Sequence, residues 1–229
     1  MRQPDNADSN SRSVLVWDAA IRVFHWLLVA LIAFMWWSGR QKGDWLNYHF
    51  YAGYVILTLL IFRIIWGFVG GTHARFTDFI YGPGAIIAYL KTLPSHTAAK
   101  FAGHNPVGGW SVILMILCVA VQAGTGLFAN NEDYGFEGPL VKLVSGATST
   151  WLTGIHRVSI NVLLALIAVH VGAVVYYLVY KKENLIAPMF SGHKQLPEAL
   201  AIAQRRIGGL GRALLVLAIA VAAVYFLVR

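Results

Sequence analysis

The sequence predicts an all-α integral membrane protein, a four-helix bundle with one extra C-terminal transmembrane helix. Composition gives the first reason, because 58% of the 229 residues are hydrophobic and only 12% are charged. Soluble domains carry about twice that share of charge. The second reason is that the apolar residues are gathered in five long segments. The length suits one compact bundle and leaves little room for a second domain.

Each apolar segment is long enough to cross a ~30 Å hydrocarbon layer as a helix, where an open strand would leave its backbone groups unpaired. We expect a disordered cytoplasmic arm at 1–13, the bundle at 14–190 with a short interfacial helix near 83–93, and a cytoplasmic linker with the fifth helix at 191–229. The fifth segment contains no histidine and is expected to be peripheral to the chemistry, with a role in packing or partner contact. The five segments are Ile21–Gly39, His49–Val69, Pro106–Ala129, Ile155–Tyr180 and Ile207–Val228.

The basic residues predict the orientation. The net charge is +8, but the basic side chains lie at the ends of apolar segments, which is a topology signal and argues against nucleic-acid binding. The side that is richer in Lys and Arg is expected to be cytoplasmic, so the N-terminus lies inside and the C-terminus outside. Its members are Arg2, Arg12, Arg22, Arg63, Arg75, Lys91, Lys100, Lys181, Lys182, Lys194, Arg205, Arg206 and Arg212, against Arg40, Lys42, Lys142, Arg157 and Arg229 on the other side.

Cys118 is the only cysteine of the chain. One cysteine permits no internal disulfide, no iron–sulfur cluster and no zinc site of the usual kind. It also excludes covalent haem attachment through a Cys-x-x-Cys-His motif. Any haem would therefore be held by axial bonds and packing alone.

Two histidines within the fourth segment are the strongest functional signal. His156 and His170 are fourteen residues apart, which returns the second ring to within about 40° of the first on one helix face. Their axial separation is roughly 21 Å, enough to place one ring towards each side of the membrane. Histidines within the membrane are costly, face the bundle interior and mark functional sites.

Two further histidines match this pair in depth. The predicted topology places His25 of the first segment on the inner side with His170, and His49 of the second segment on the outer side with His156. Two neutral imidazoles facing each other form a bis-histidine haem iron site, so we expect two such sites. A single buried histidine is more often a hydrogen-bonded core residue. The remaining histidines, His73, His96, His104 and His193, are expected in polar loops.

Cations and small residues near these histidines are candidate cofactor contacts. Arg22, Arg63 and Arg157 are placed to meet haem propionates. Arg22 and Arg157 could equally be basic residues whose side chains simply extend to the membrane surface. The deeper Arg63 needs a carboxylate or carbonyl partner. Gly53, together with Gly124 and Gly126, would admit the edge of a macrocycle, although such glycines are more often packing contacts.

Several motifs together resemble the bacterial cytochrome b561 and Ni,Fe-hydrogenase b-type cytochrome superfamily. They are Arg22-Val-Phe-His25-Trp26, His49-x-x-x-Gly53, His156 with His170, Arg75-Phe-x-Asp78-Phe, Gly82-Pro-Gly and Gly103-His104-Asn105-Pro106. The resemblance covers about residues 14–190. It implies a four-helix di-haem core in the bacterial inner membrane, with His25, His49, His156 and His170 as axial ligands of two non-covalent b haems. The fifth segment departs from that core and leaves partner choice open, a homodimer included.

The leading functional hypothesis is electron transfer across the bilayer between the quinone pool and a periplasmic redox partner, such as a cytochrome c or a hydrogenase-like subunit. The chain would then be the electron-transfer subunit of a quinone-linked oxidoreductase. The acidic outer loop Asn130–Thr150, with Glu132, Asp133 and Glu137, would dock a basic partner. One alternative is a stand-alone superoxide:quinone oxidoreductase. Another is a haem-free scaffold or a transporter whose histidines relay protons.

Overall fold

The computed structural model describes residues 11–95, 101–131, 135–201 and 208–229. Within them, five helices are long and apolar enough to cross a membrane, which confirms the predicted fold class. Two small antiparallel sheets accompany the helices. In chain order the helices are α1 (Ala19–Ser38), α2 (Trp45–Val69), α3 (Pro83–Thr92), α4 (Pro106–Gly126), α5 (Gly146–Val179), α6 (Ile186–Ser191), α7 (Glu198–Ala201) and α8 (Leu210–Leu227). The strands are β1 (Ser11–Leu15), β2 (Asn130–Asn131), β3 (Phe136–Glu137) and β4 (His193–Pro197).

Polar caps start three of the long helices. The Asp18 side chain accepts a hydrogen bond from the Ile21 amide at 2.8 Å. Asn105 accepts one from Gly108 at 2.7 Å, and Ser145 accepts one from Thr148 at 3.2 Å. Each cap satisfies an amide that the first helical turn leaves without a carbonyl partner.

Helix α5 is longer than the sequence indicated, because it begins at Gly146 and not at Ile155. Its 34 residues extend about 51 Å, well beyond a ~30 Å hydrocarbon layer. Hydroxyl groups anchor the additional turns. The Ser149 hydroxyl donates to the Phe128 carbonyl at 2.8 Å, and the Thr153 hydroxyl accepts from the Asn130 amide at 3.0 Å. These polar contacts fix turns that the apolar pattern does not reveal.

The bundle core is formed by side chains of α2, α4, α5 and α8 around Ile56, Leu60, Val119, Leu163 and Val224. Many apolar side chains instead lie on the outer face, as is normal for helices surrounded by lipid. Helix α8 packs mainly against α2. The fifth helix therefore packs along α2.

Strand β1 pairs with β4, with Ser11 opposite Pro197 and Leu15 opposite His193. The strand includes residues 11–13, which the sequence analysis placed in a disordered arm; residues 1–10 lie outside the described ranges. The side chains of Val14, Val16 and Leu196 are buried together, and Arg12 forms an ion pair with Glu198 at 2.8 Å. This small apolar cluster orders the segment ahead of α1.

Helix α3 is the short helix expected near 83–93, and it ends at Thr92. It is joined to α5 by a hydrogen bond between the hydroxyls of Tyr89 and Tyr177 and by a bond from the Tyr176 hydroxyl to the Leu93 carbonyl at 2.6 Å. The Asn105 amide donates to the Tyr177 hydroxyl at 3.0 Å. These contacts hold α3 across the ends of α4 and α5.

Candidate functional site

His49 and His156 face each other at the end of the bundle where α1 ends and α2 begins. Their ring centroids are 6.3 Å apart, and the ring planes are inclined by 77°. A metal ion bound by two ring nitrogens, at about 2 Å from each, needs ring centroids about 6 Å apart. The spacing of this pair therefore matches that of a bis-imidazole metal site.

The His49 ring is held by the last turn of α1. Its Nδ1 lies 3.1 Å from the Ser38 hydroxyl, and the Met35 carbonyl also faces the ring. The Ser38 hydroxyl donates to that carbonyl at 3.4 Å, so its lone pairs are available to accept a hydrogen bond from the Nδ1–H group of His49. This arrangement favours the neutral tautomer in which Nε2 carries the free electron pair.

The His156 ring is held in the same way by the last turns of α4. Its Nδ1 lies 2.9 Å from the Gln122 carbonyl and 3.4 Å from the Thr125 hydroxyl. Its Nε2 lies 3.2 Å from the side-chain amide nitrogen of Gln122, which can only donate. Nδ1 is thus the protonated nitrogen, and Nε2 carries the electron pair that a metal ion would use.

At the opposite end of the bundle, His25 and His170 are close enough to interact electrostatically. Nδ1 of His25 is buried and has no hydrogen-bond partner within the described residues. The His25 ring also makes an edge contact with Trp26, at a centroid distance of 5.0 Å. A buried imidazole nitrogen without a partner costs free energy unless another group binds it.

Arg63 lies within α2 and is almost completely buried, with 3% of its surface exposed. Its guanidinium carbon is 4.8 Å from the centroid of the Phe76 ring and 5.9 Å from that of Phe79. Asp18 is the carboxylate with which it interacts electrostatically. In the part of the chain that the structure describes, Nη1 of Arg63 has no hydrogen-bond acceptor. The buried cation thus retains capacity for an anionic group.

The other predicted cofactor contacts differ in their surroundings. Arg22 donates to the Phe190 carbonyl, and its buried Nε has no partner among the described residues. Arg157 is exposed beside His156. At Gly53, an added Cβ would lie 3.6 Å from the Met35 methyl carbon, an ordinary contact, whereas at Gly126 it would meet the His156 ring.

His104 is not the solvated loop residue that its sequence position suggested. Its ring lies between Trp17 and Phe79, at centroid distances of 4.8 and 4.7 Å. The residue keeps some surface exposure, but Nδ1 of the ring is buried and has no partner within the described ranges. Of the other loop histidines, His193 is exposed, and His96 lies outside the described residues.

Burial lowers the pKa of His104 to about 3, with smaller contributions from Arg63 and His73. An unfolded histidine titrates near pH 6.5, so between about pH 6.5 and 3 the unfolded chain binds a proton that the folded chain does not. We therefore expect the free energy of unfolding to fall as the pH drops from 6.5 towards 3. Replacing His104 with glutamine should flatten this dependence in denaturation series measured in detergent, and His193→Gln is the matched surface control.

Within the described residues, no group of three or more His, Cys, Asp or Glu side chains is placed to hold a metal ion. What the histidines offer is two pairs at opposite ends of the bundle. The Nε2 tautomer of the first pair, the unpaired nitrogens near the second pair and the buried Arg63 fit an iron porphyrin with anionic side groups. Five membrane-length helices around paired imidazoles are the architecture of a helical membrane cytochrome.

The comparison with protein families identifies that class. The family model described as prokaryotic cytochrome b561 matches residues 16–192. The chain belongs to this family. It is a multi-pass membrane protein, a b-type cytochrome that transfers electrons. The family implies haem b as its cofactor.

Curated relatives align over most of their length. A probable Ni/Fe-hydrogenase B-type cytochrome subunit of Rhizobium leguminosarum bv. viciae is 26% identical over 215 residues, covering 80% of this chain and 89% of the relative. The protein of the same name from Azotobacter vinelandii is 26% identical over 223 residues, covering 81% and 90%. The probable Ni/Fe-hydrogenase 1 B-type cytochrome subunit of Escherichia coli K12 is 23% identical over 217 residues, covering 81% and 92%. No solved structure matches the chain.

Proposed function

We propose that the protein transfers electrons across the bacterial inner membrane, between the quinone pool and a periplasmic hydrogenase-like subunit, through two bis-histidine b haems. The observation that carries this proposal is the pair of facing imidazoles, His49 and His156, at a centroid distance of 6.3 Å. Haem iron, when bound, takes up and releases one electron at each site. The chain itself supplies the ligands, their tautomers and the surrounding charges.

The outer site would use His49 and His156 as axial ligands. Both rings are anchored through Nδ1 to the end of a neighbouring helix, and a bound iron would replace the Gln122 amide at Nε2 of His156. Such anchoring raises the basicity of a ligating imidazole and fixes its orientation. Arg157, next to His156 and exposed, is the candidate partner for an outer propionate.

The inner site would use His25 and His170. Arg22 and Arg63 have buried nitrogens without partners among the described residues, and they are the candidate contacts for inner propionates. A carboxylate at Arg63 would pair with a buried cation whose described surroundings include aromatic faces and Asp18. Gly53, one turn from His49, is the candidate point of close packing for the macrocycle of the outer site.

The hydrogenase-like partner is inferred from the relatives, whose names describe hydrogenase cytochrome subunits. A cytochrome c remains the alternative partner. The acidic outer loop supports docking of a basic surface, and of its three carboxylates Glu137 is described on β3, whereas Glu132 and Asp133 lie outside the described residues. The orientation, with the N-terminus in the cytoplasm, is supported by the excess of Lys and Arg on that side.

Hydrogen-dependent reduction tests this proposal. The tagged protein is isolated in mild detergent from its own membranes, so that bound partners are retained, and the b-haem α-band is followed after addition of hydrogen. We expect the haem to be reduced, and a water-soluble quinone analogue added afterwards should reoxidise it. The His156→Ala variant in the same preparation is the control and should break the transfer.

If the haem stayed oxidised under hydrogen but was reduced by a partner cytochrome c, the result would contradict a hydrogenase partner and support the cytochrome c. Reduction by superoxide in the absence of any partner would favour the stand-alone oxidoreductase.

A further inference from the structure

Two hydroxyl–glycine pairs, Ser38–Gly39 and Thr125–Gly126, occupy equivalent places in the fold. Ser38 is the last residue of α1 and Gly39 follows it, whereas Thr125 and Gly126 are the last two residues of α4. Each pair contacts the ring of a histidine on the helix that follows in the chain. The two halves of the bundle thus repeat one local arrangement.

The hydroxyl groups of the two pairs make the same type of contact. Each donates to a carbonyl of its own helix, Ser38 to Met35 and Thr125 to Val121, the latter at 2.6 Å. Each hydroxyl oxygen also lies within hydrogen-bond distance of Nδ1 of the facing imidazole, at 3.1 Å for His49 and 3.4 Å for His156. Because its proton is already donated, the hydroxyl acts as an acceptor for the ring N–H.

The glycines also contact the rings. A Cβ at Gly39 would lie 3.1 Å from Cε1 of His49, and a Cβ at Gly126 would lie 3.0 Å from Cε1 of His156. Any side chain at either position would therefore displace the ring. Their φ angles are not positive, so close approach of the ring, and not backbone conformation, is what glycine permits here.

We propose that Ser38–Gly39 and Thr125–Gly126 are matched positioning elements that fix the tautomer and the rotation of His49 and His156. This inference rests on the proposed function, because it assigns a role toward a haem held between these rings. The hydroxyls keep the proton on Nδ1, the glycines let each ring lie against the helix end, and together they hold the ring planes 77° apart.

The crossed planes have a spectroscopic consequence. In a low-spin ferric haem with two imidazole ligands, crossed ring planes give a strongly anisotropic electron paramagnetic resonance signal with a large highest g value. Parallel planes give an ordinary rhombic signal. The haem at this site is therefore expected to give the strongly anisotropic signal, and its line shape reports directly on ring rotation.

The test compares Ser38→Ala and Thr125→Ala in the purified oxidised holoprotein, with haem content, resonance spectrum and midpoint potential as readouts. Loss of an outer-shell partner typically weakens metal binding about tenfold or more. We expect Ser38→Ala to weaken haem retention at this site to that extent, to shift its resonance signal and to raise its midpoint potential, because the ligand becomes less basic. Thr125→Ala should act in the same direction but more weakly, because the Gln122 carbonyl at 2.9 Å still holds His156.

Three further variants separate positioning from folding. Ser38→Thr keeps the hydroxyl and should restore the wild-type signal, whereas Gly39→Ala keeps every hydrogen-bonding group and should still displace the ring. Thr58→Ala is the matched control, because within the described ranges the Thr58 hydroxyl makes a single hydrogen bond, to the Tyr54 carbonyl of its own helix at 2.9 Å.

Unchanged resonance signals and potentials in Ser38→Ala and Gly39→Ala, with haem retained, would overturn the inference while leaving the proposed function in place. An equal shift in Thr58→Ala would overturn it as well, because the effect would then not be local. A wild-type protein that binds no haem would overturn the proposed function itself and this inference with it.

Discussion

Replacing His156 with alanine is expected to remove one of two haems from each chain and to leave the other in place. The facing ring of His49 cannot hold a haem iron in bis-histidine coordination alone, so His49→Ala should remove the same haem. His25→Ala and His170→Ala should remove the other one, because those two residues lie at the opposite end of the bundle. Pyridine haemochrome counts and redox titration of each variant measure which component is lost.

His193→Ala is the matched control for these variants, because His193 is an exposed histidine on β4. It should retain both haems with unchanged potentials. The pairing would be wrong if His49→Ala and His156→Ala removed different redox components, or if either variant kept the full haem content.

Replacing Asp18 with alanine is expected to destabilise the fold strongly. Its carboxylate caps α1, accepts a hydrogen bond from the Trp66 indole at 3.2 Å and lies near the buried Arg63. Loss of a helix cap alone typically costs about 1 kcal/mol. Leaving the buried Trp66 indole N–H without its acceptor costs about a further 1–3 kcal/mol, and Arg63 loses a nearby negative charge, so the combined loss should clearly lower the thermal denaturation midpoint in detergent.

Two variants resolve the contributions. Asp18→Asn keeps one oxygen for the cap, but it turns an NH2 group towards the Trp66 indole N–H and removes the charge, so it should lie between wild type and Asp18→Ala. Asp44→Ala is the matched control, because Asp44 occupies the corresponding position before α2 but makes no capping bond and is exposed. Equal midpoints for Asp18→Ala and Asp44→Ala would contradict this account of Asp18.

The parts of the fold governed by hydrophobicity could be predicted from the sequence. Span positions follow from apolar length, and the depth of each histidine follows from helix geometry, so His49 and His156 could be expected at one end of the bundle. The early start of α5 could not be predicted, because Ser149 and Thr153 are held by hydrogen bonds to a distant loop. The pairing of β1 with β4 likewise depends on residues about 180 positions apart in the chain.

The surroundings of individual side chains could not be predicted from the sequence either. Burial of the His104 ring depends on Trp17 and Phe79, which no local pattern connects to it. The residues that contact the candidate ligands do show a pattern in the sequence. A hydroxyl residue followed by glycine ends α1 as Ser38–Gly39 and α4 as Thr125–Gly126. The role of this repeat becomes visible only in the structure, where each pair contacts a histidine ring.

The haem content of the purified wild-type protein tests the central claim most directly. Two histidine pairs, the facing rings of His49 and His156 and the electrostatically coupled His25 and His170, predict two non-covalent b haems per chain by pyridine haemochrome count, with two components in a redox titration. A count of one haem per chain, or of none, in folded protein expressed with haem in excess would contradict the account.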